Sequence, residues 1–170
     1  IDRAQAAQML AAPPRPLARK KSIVKIDLFY LPHFIFHLFI QQKAPQPISA
    51  KICVDGLEGV YGLFSDAEFS EYPEVPCKII KSQLTIDAAE KSGLEEFRRY
   101  MLGMNLKKRE KFQLLSCEFQ QELYYPFWVG YFKRKDAYDF EAIDAISGQR
   151  QGAKMKPVFI QAILLHRVNP

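Results

Sequence analysis

Tyr124-Tyr125-Pro126-Phe127-Trp128-Val129-Gly130-Tyr131-Phe132 is followed by Lys133-Arg134-Lys135-Asp136, by a second apolar run from Tyr138 to Ile143, and by Asp144-Ala145-Ile146-Ser147-Gly148. Two runs rich in aromatic and β-branched residues around a short charged connection predict a β-hairpin, and the aspartate-to-glycine segment predicts the turn that closes it. The same plan stands earlier in the chain. There Tyr30-Leu31-Pro32-His33-Phe34-Ile35-Phe36 leads through a proline-containing turn at Ala44 to Pro47, and on to Ile52-Cys53-Val54-Asp55-Gly56-Leu57-Glu58-Gly59. Aligning the two stretches sets Tyr30 with Tyr124, Pro32 with Pro126, Phe34 with Trp128, Ile35 with Val129, Val54 with Ile143, Asp55 with Asp144 and Gly59 with Gly148. The pattern predicts an internal duplication.

Outward from these hairpins the remaining elements fall into place. Asp2 is the expected N-cap of a short alanine-rich helix ending at Pro13 and Pro14, because proline cannot donate inside a helix. Ile23 to Phe29 predicts a strand, a second runs from about Pro32 to Ile40, a third from Ile48 to Val54, and Val60 to Phe64 adds a short fourth. The acidic, proline-containing stretch from Ser65 to Pro76 reads as a connector, followed by a possible strand at Cys77 to Lys81. Thr85 is the expected N-cap of a helix over Ile86 to Leu102, with Gly93 a point of weakness costing about 1 kcal/mol relative to alanine and Gly103 a stop. Phe112 to Phe119 predicts another strand. Pro157 suits the first turn of a last helix, Lys156 to His166, although its β-branched residues also fit a strand.

The resulting fold class is α+β: two related units, each a helix packed on a three- to four-stranded antiparallel sheet. The first unit covers 1–65, an acidic connector with a short strand covers 66–84, and the second unit with its C-terminal helix covers 85–170. The strand ends Val54-Asp55-Gly56-Leu57-Glu58-Gly59 and Ile143-Asp144-Ala145-Ile146-Ser147-Gly148 resemble the final strand and turn of PepSY-like domains, small helix-on-sheet modules. The resemblance covers about half the chain and implies a noncatalytic binding, regulatory or peptidase-inhibitory module; it brings no catalytic residues.

Composition agrees with a packed fold: of 170 residues, 48% are hydrophobic and 25% charged, enough apolar surface for a core without staples. Cys53, Cys77 and Cys117 are odd in number and lack C-x-x-C spacing, so they read as buried free thiols and favour a reducing, cytoplasmic compartment. The run Leu28 to Ile40 is 13 residues long, against about 20 for a spanning helix, so no transmembrane segment is expected. Starting at Ile1 rather than Met, the sequence reads as a fragment of a longer protein or as a trimmed chain.

Candidate chemistry is sparse. Asp55 and Asp144 could act as paired carboxylates on a metal or in acid and base work, which is the metal-dependent enzyme alternative. Their matched places before a glycine favour structural turns instead, with alanine at either costing about 1 kcal/mol. His33 and His37 have a metal-ligand spacing only on a helix; on a strand their backbones are about 13 Å apart, too far for one ion. With His166 they are the only histidines, and no nucleophile motif accompanies them. No residue is therefore assigned as catalytic, cofactor-binding or metal-ligating, and no cofactor is expected.

The net charge of +5 collects in Arg15, Arg19, Lys20, Lys21 and Lys25 and again in Lys107, Lys108, Arg109 and Lys111. These groups carry the second alternative, a binder of nucleic acid or an anionic surface. The aromatics fall on both parities of the Tyr124 to Phe132 run, which fits a two-sided core better than a base-stacking face. The favoured reading is a noncatalytic binding or regulatory module whose partner is a protein or peptide.

Overall fold

The computed structural model describes residues 1–12, 22–41, 46–64, 76–108, 112–134 and 137–168. The acidic stretch 65–75 and, Lys25 apart, the side chains of the two basic groups lie outside the described residues. Helix α1 (Arg3–Ala11) starts at a capping box: Asp2 accepts from the Gln5 N–H at 2.8 Å, and the Gln5 side chain accepts from the Asp2 N–H at 2.9 Å. Its far end is closed from a distance. The Arg150 guanidinium donates to the Met9 and Ala12 carbonyls while pairing with Glu141 at 2.5 Å, satisfying helix carbonyls that lack an internal donor.

The first expected pair of strands is one strand. β1 runs unbroken from Ile23 to Gln41 through Pro32. A proline is tolerated in a strand where no partner needs its missing N–H. Here β4 (Lys78–Ile79) pairs with β1 as far as Tyr30, and β2 (Ile48–Asp55) takes up pairing at His33, so on this flank Pro32 lies between two partners. The stretch around Pro126 is built likewise: β5 runs from Gln113 to Arg134, and its pairing with β6 (Ala137–Asp144) starts at Phe127, just after Pro126.

Helix α2 (Ile86–Lys108) opens with Thr85 Oγ1 accepting from the Ala88 N–H at 3.2 Å, and it passes through both Gly93 and Gly103 without ending. Gly103 supplies no stop, and the weak point at Gly93 has a packing role. A Cβ there would lie 2.6 Å from Val54 Cγ2, so the glycine lets the helix approach β2. The last segment is helical, α3 (Lys156–Val168), after a 3-10 turn at Ala153–Met155.

The class is α+β, with three helices among the described residues, but separate sheets of three or four strands are not formed. Hydrogen bonds order the strands as one sheet, β3-β2-β1-β5-β6, where β3 is Tyr61–Leu63 and β4 pairs β1 off this path. The β1–β2, β2–β3 and β5–β6 ladders are antiparallel, and the two-residue β1–β4 pairing is parallel. The reason is that residues expected to form two strands on either side of each Tyr-x-Pro run on as one.

The chain compacts into two units. One comprises Ile1–Leu31, Glu74–Ile80 and Tyr124–Pro170, the other Pro32–Pro73 and Lys81–Leu123. In the first, Ala6 and Leu10 of α1 pack with Ile26, Leu28, Trp128, Phe132 and Ile143. The alternate positions of the strands face α3: the Phe127 and Phe159 rings meet edge-on at 5.2 Å, and Phe29 meets His166 at 6.2 Å. Aromatics of both parities are thus buried because this part of the sheet carries a helix on each face. In the second unit Phe34, Phe36, Leu38 and Ile40 pack with Ile52, Val54, Ala89 and Phe97 under α2.

Candidate functional site

The two aspartates close turns of the same construction. Asp55 donates its N–H to the Val60 carbonyl and accepts at its own carbonyl from Gly59; Asp144 does the same with Gln149 and Gly148. The residue after each aspartate donates back to a proline carbonyl, Gly56 to Pro32 and Ala145 to Pro126. Gly59 and Gly148 have φ of 74° and 73°, the left-handed region that glycine enters at little cost. One carboxylate oxygen of Asp55 accepts from Leu57 and Glu58, and the other from Val60. In Asp144, Oδ1 accepts from Ile146 at 2.7 Å and Ser147 at 2.9 Å, while Oδ2 accepts from the Tyr125 hydroxyl at 2.9 Å. Both carboxylates are engaged by their own loops.

His33 is buried opposite Asp55 in the β1–β2 ladder, whereas His37 lies opposite Lys51 with its ring 4.4 Å from that of Phe39. A strand separates the two histidines as the spacing argument requires. No group of three or more His, Cys, Asp or Glu side chains converges as a metal site among the described residues. Cys53, Cys77 and Cys117 are free and half-buried. Burial pushes the Cys53 thiol up to about 11, with the Asp55 charge adding to it, and burial pushes Cys117 up to about 12. Neither carries the thiolate that nucleophilic chemistry needs. Among the described residues no helix is long and apolar enough to cross a membrane.

A different cluster forms a site within the first unit. Strand periodicity places Lys25, Asp27 and Phe29 on one face of β1. With Lys78 from β4, Tyr131 from β5, Tyr138 from β6, and Ile163, His166 and Arg167 from α3, they line a cavity of about 490 Å³. Asp27 Oδ2 accepts from Lys78 at 2.7 Å and pairs with Lys25 at 3.0 Å. Lys78 also lies 5.1 Å from the Phe29 ring centroid, within cation–π range.

No family model, curated protein or solved structure matches the chain. What the cavity can do is therefore read from its own groups. Burial opposes ionisation of Asp27, but the hydrogen bonds and charges of Lys78 and Lys25 outweigh it and hold the carboxyl below its usual range. Tyr131 is pushed well above its usual value by burial and by the Asp27 charge, so it stays a neutral donor. Burial lowers His166, the nearby Lys78 and Lys25 lower it further, and Asp27 opposes them.

These shifts set a pH dependence. A depressed folded pKa contributes stability above the unfolded value that is lost as pH falls through the folded one. For His166 the loss begins near pH 6.5, and for Asp27 near pH 3.8. Urea midpoints are expected to fall as pH drops below 6.5, and His166→Gln should flatten this upper part of the curve. An unchanged slope in that variant would contradict the assignment.

Sequence reasoning grouped Lys25 with other basic residues and passed over Asp27. The legible signal was a charge alternation, Lys25-x-Asp27, inside an apolar strand. Lys78 and His166 join the cavity through β4 and α3, far away in the chain, and no local pattern announces that.

Proposed function

We propose that the chain is a noncatalytic binding module whose ligand site is the cavity at Asp27. The observation that carries this reading is the cavity itself, a concave space of about 490 Å³ with aromatic and aliphatic walls and a few charged groups. Ligand sites typically combine a volume of roughly 300–1,000 Å³ with that kind of lining. The engaged carboxylates of Asp55 and Asp144 support it from the other side, since residues held by their own turns serve the fold. The paired turns also support an origin by duplication, as two related helix-and-strand segments over 1–65 and 85–170. The PepSY-like resemblance rests on the same turns and agrees with a noncatalytic role.

The reading is tested by amide chemical-shift mapping of the isotopically labelled protein against a mixture of small organic fragments. Shifts are expected to cluster at Asp27, Phe29, Tyr131, Ile163 and His166. Shifts confined to the Asp55 and Asp144 turns, or none at all, would overturn it.

A further inference from the structure

The cavity's charges are unequal in a way that selects its occupant. Three cationic side chains, Lys25, Lys78 and Arg167, line it against one carboxylate, Asp27. That carboxylate is already engaged, with both ammonium groups on Oδ2 at 2.7 and 3.0 Å. An ammonium has three donors, and Asp27 occupies one on each lysine, so each keeps donors for a ligand. Lys78 is well placed for this role, because its side chain is only 19% exposed and is fixed between Asp27 and the Phe29 ring. A fixed, partly desolvated cation binds an anion more strongly than a mobile surface lysine does.

The walls restrict the rest of the ligand. Phe29, Tyr131, Tyr138, Val24 and Ile163 present rings and aliphatic surface. Such walls suit a flat apolar body, and a polyphosphate would leave them uncovered.

We propose that the cavity binds an organic carboxylate with an aromatic or similarly flat apolar body, its carboxylate on Lys78 and its body against Phe29 and Tyr131. This rests on the reading of the cavity as a ligand site and adds the chemistry of the ligand. The carboxylate can belong to a free small molecule or to the C-terminal residue of a peptide.

Calorimetric titrations with 2-naphthoate, 2-naphthylmethanol, 2-naphthylmethylamine and the tripeptide Ala-Ala-Phe separate the possibilities. Naphthoate is expected to bind about tenfold or more tighter than the alcohol, the ratio that a charge-assisted hydrogen bond supplies. Lys78→Met should abolish that advantage, so that naphthoate and the alcohol bind with equal affinity, while a cooperative urea transition shows that the variant is folded. Asp27→Asn should tighten naphthoate, because it removes the competing negative charge. Tripeptide binding as tight as naphthoate assigns the source to a peptide terminus, and weaker binding assigns it to a free small molecule. Equal affinity for alcohol and naphthoate, preference for the amine, or weakening by Asp27→Asn would overturn the carboxylate assignment and leave the cavity as a binding site. Absence of binding by all four probes would overturn both.

Discussion

Asp55→Ala is expected to lower the free energy of unfolding by about 3 kcal/mol, roughly twice the loss for Asp144→Ala, although both residues close the same kind of turn. The difference comes from burial and from the number of donors left behind. Asp55 is 1% exposed, and its carboxylate accepts from three backbone N–H groups, those of Leu57, Glu58 and Val60. Removing it strands donors that water cannot readily reach. Asp144 accepts from two N–H groups in an exposed turn, those of Ile146 and Ser147, where water can take its place, and from the Tyr125 hydroxyl. The sequence alone suggested about 1 kcal/mol for either residue, the ordinary cost of losing a cap. Urea titrations with a shared m-value test the comparison. Equal, small losses at both positions would show that the Asp55 carboxylate does not hold its loop.

Gly93→Val should cost about 3 kcal/mol, and Gly93→Ala should also destabilise, while Gly103→Ala in the same helix should stabilise by up to about 1 kcal/mol. Helix propensity treats the two alanine substitutions alike. Packing separates them. A Cβ at Gly93 would meet Val54 Cγ2 at 2.6 Å and Ile52 Cδ1 at 3.2 Å, and both partners are fully buried. Val54 is β-branched and stiff at χ1, so it cannot simply turn aside. At Gly103 nothing lies within 4 Å. Thermal and urea unfolding of the two alanine variants is the decisive pair. Stabilisation by both would mean that α2 does not rest on β2 at Gly93.

These two cases also mark what could be read before the structure. Local signals worked where the physics is local. Asp2 and Thr85 were legible as caps because a side-chain oxygen meets backbone donors within one turn. The hairpin turns at Asp55 and Asp144 were legible because a carboxylate and a positive-φ glycine four residues apart form a self-contained loop. Pro32 misled, because the rule that proline breaks a strand presumes a partner needing its N–H. Whether one does depends on β4 and β2, which pair on either side of it. Gly93 misled for a related reason, since its neighbour lies on β2, some forty positions earlier. The cavity is the extreme case: Lys78, Tyr131 and His166 reach Asp27 only through tertiary pairing, and each alone reads as an ordinary surface or core residue.

Carboxylate binding at Lys78 is tested most directly by a crystal structure of the protein grown with 2-naphthoate. The naphthyl ring is expected in the cavity beside Phe29 and Tyr131, with a carboxylate oxygen within hydrogen-bond distance of Lys78 Nζ. A ligand found elsewhere on the chain, with the cavity closed by its own side chains, would contradict it.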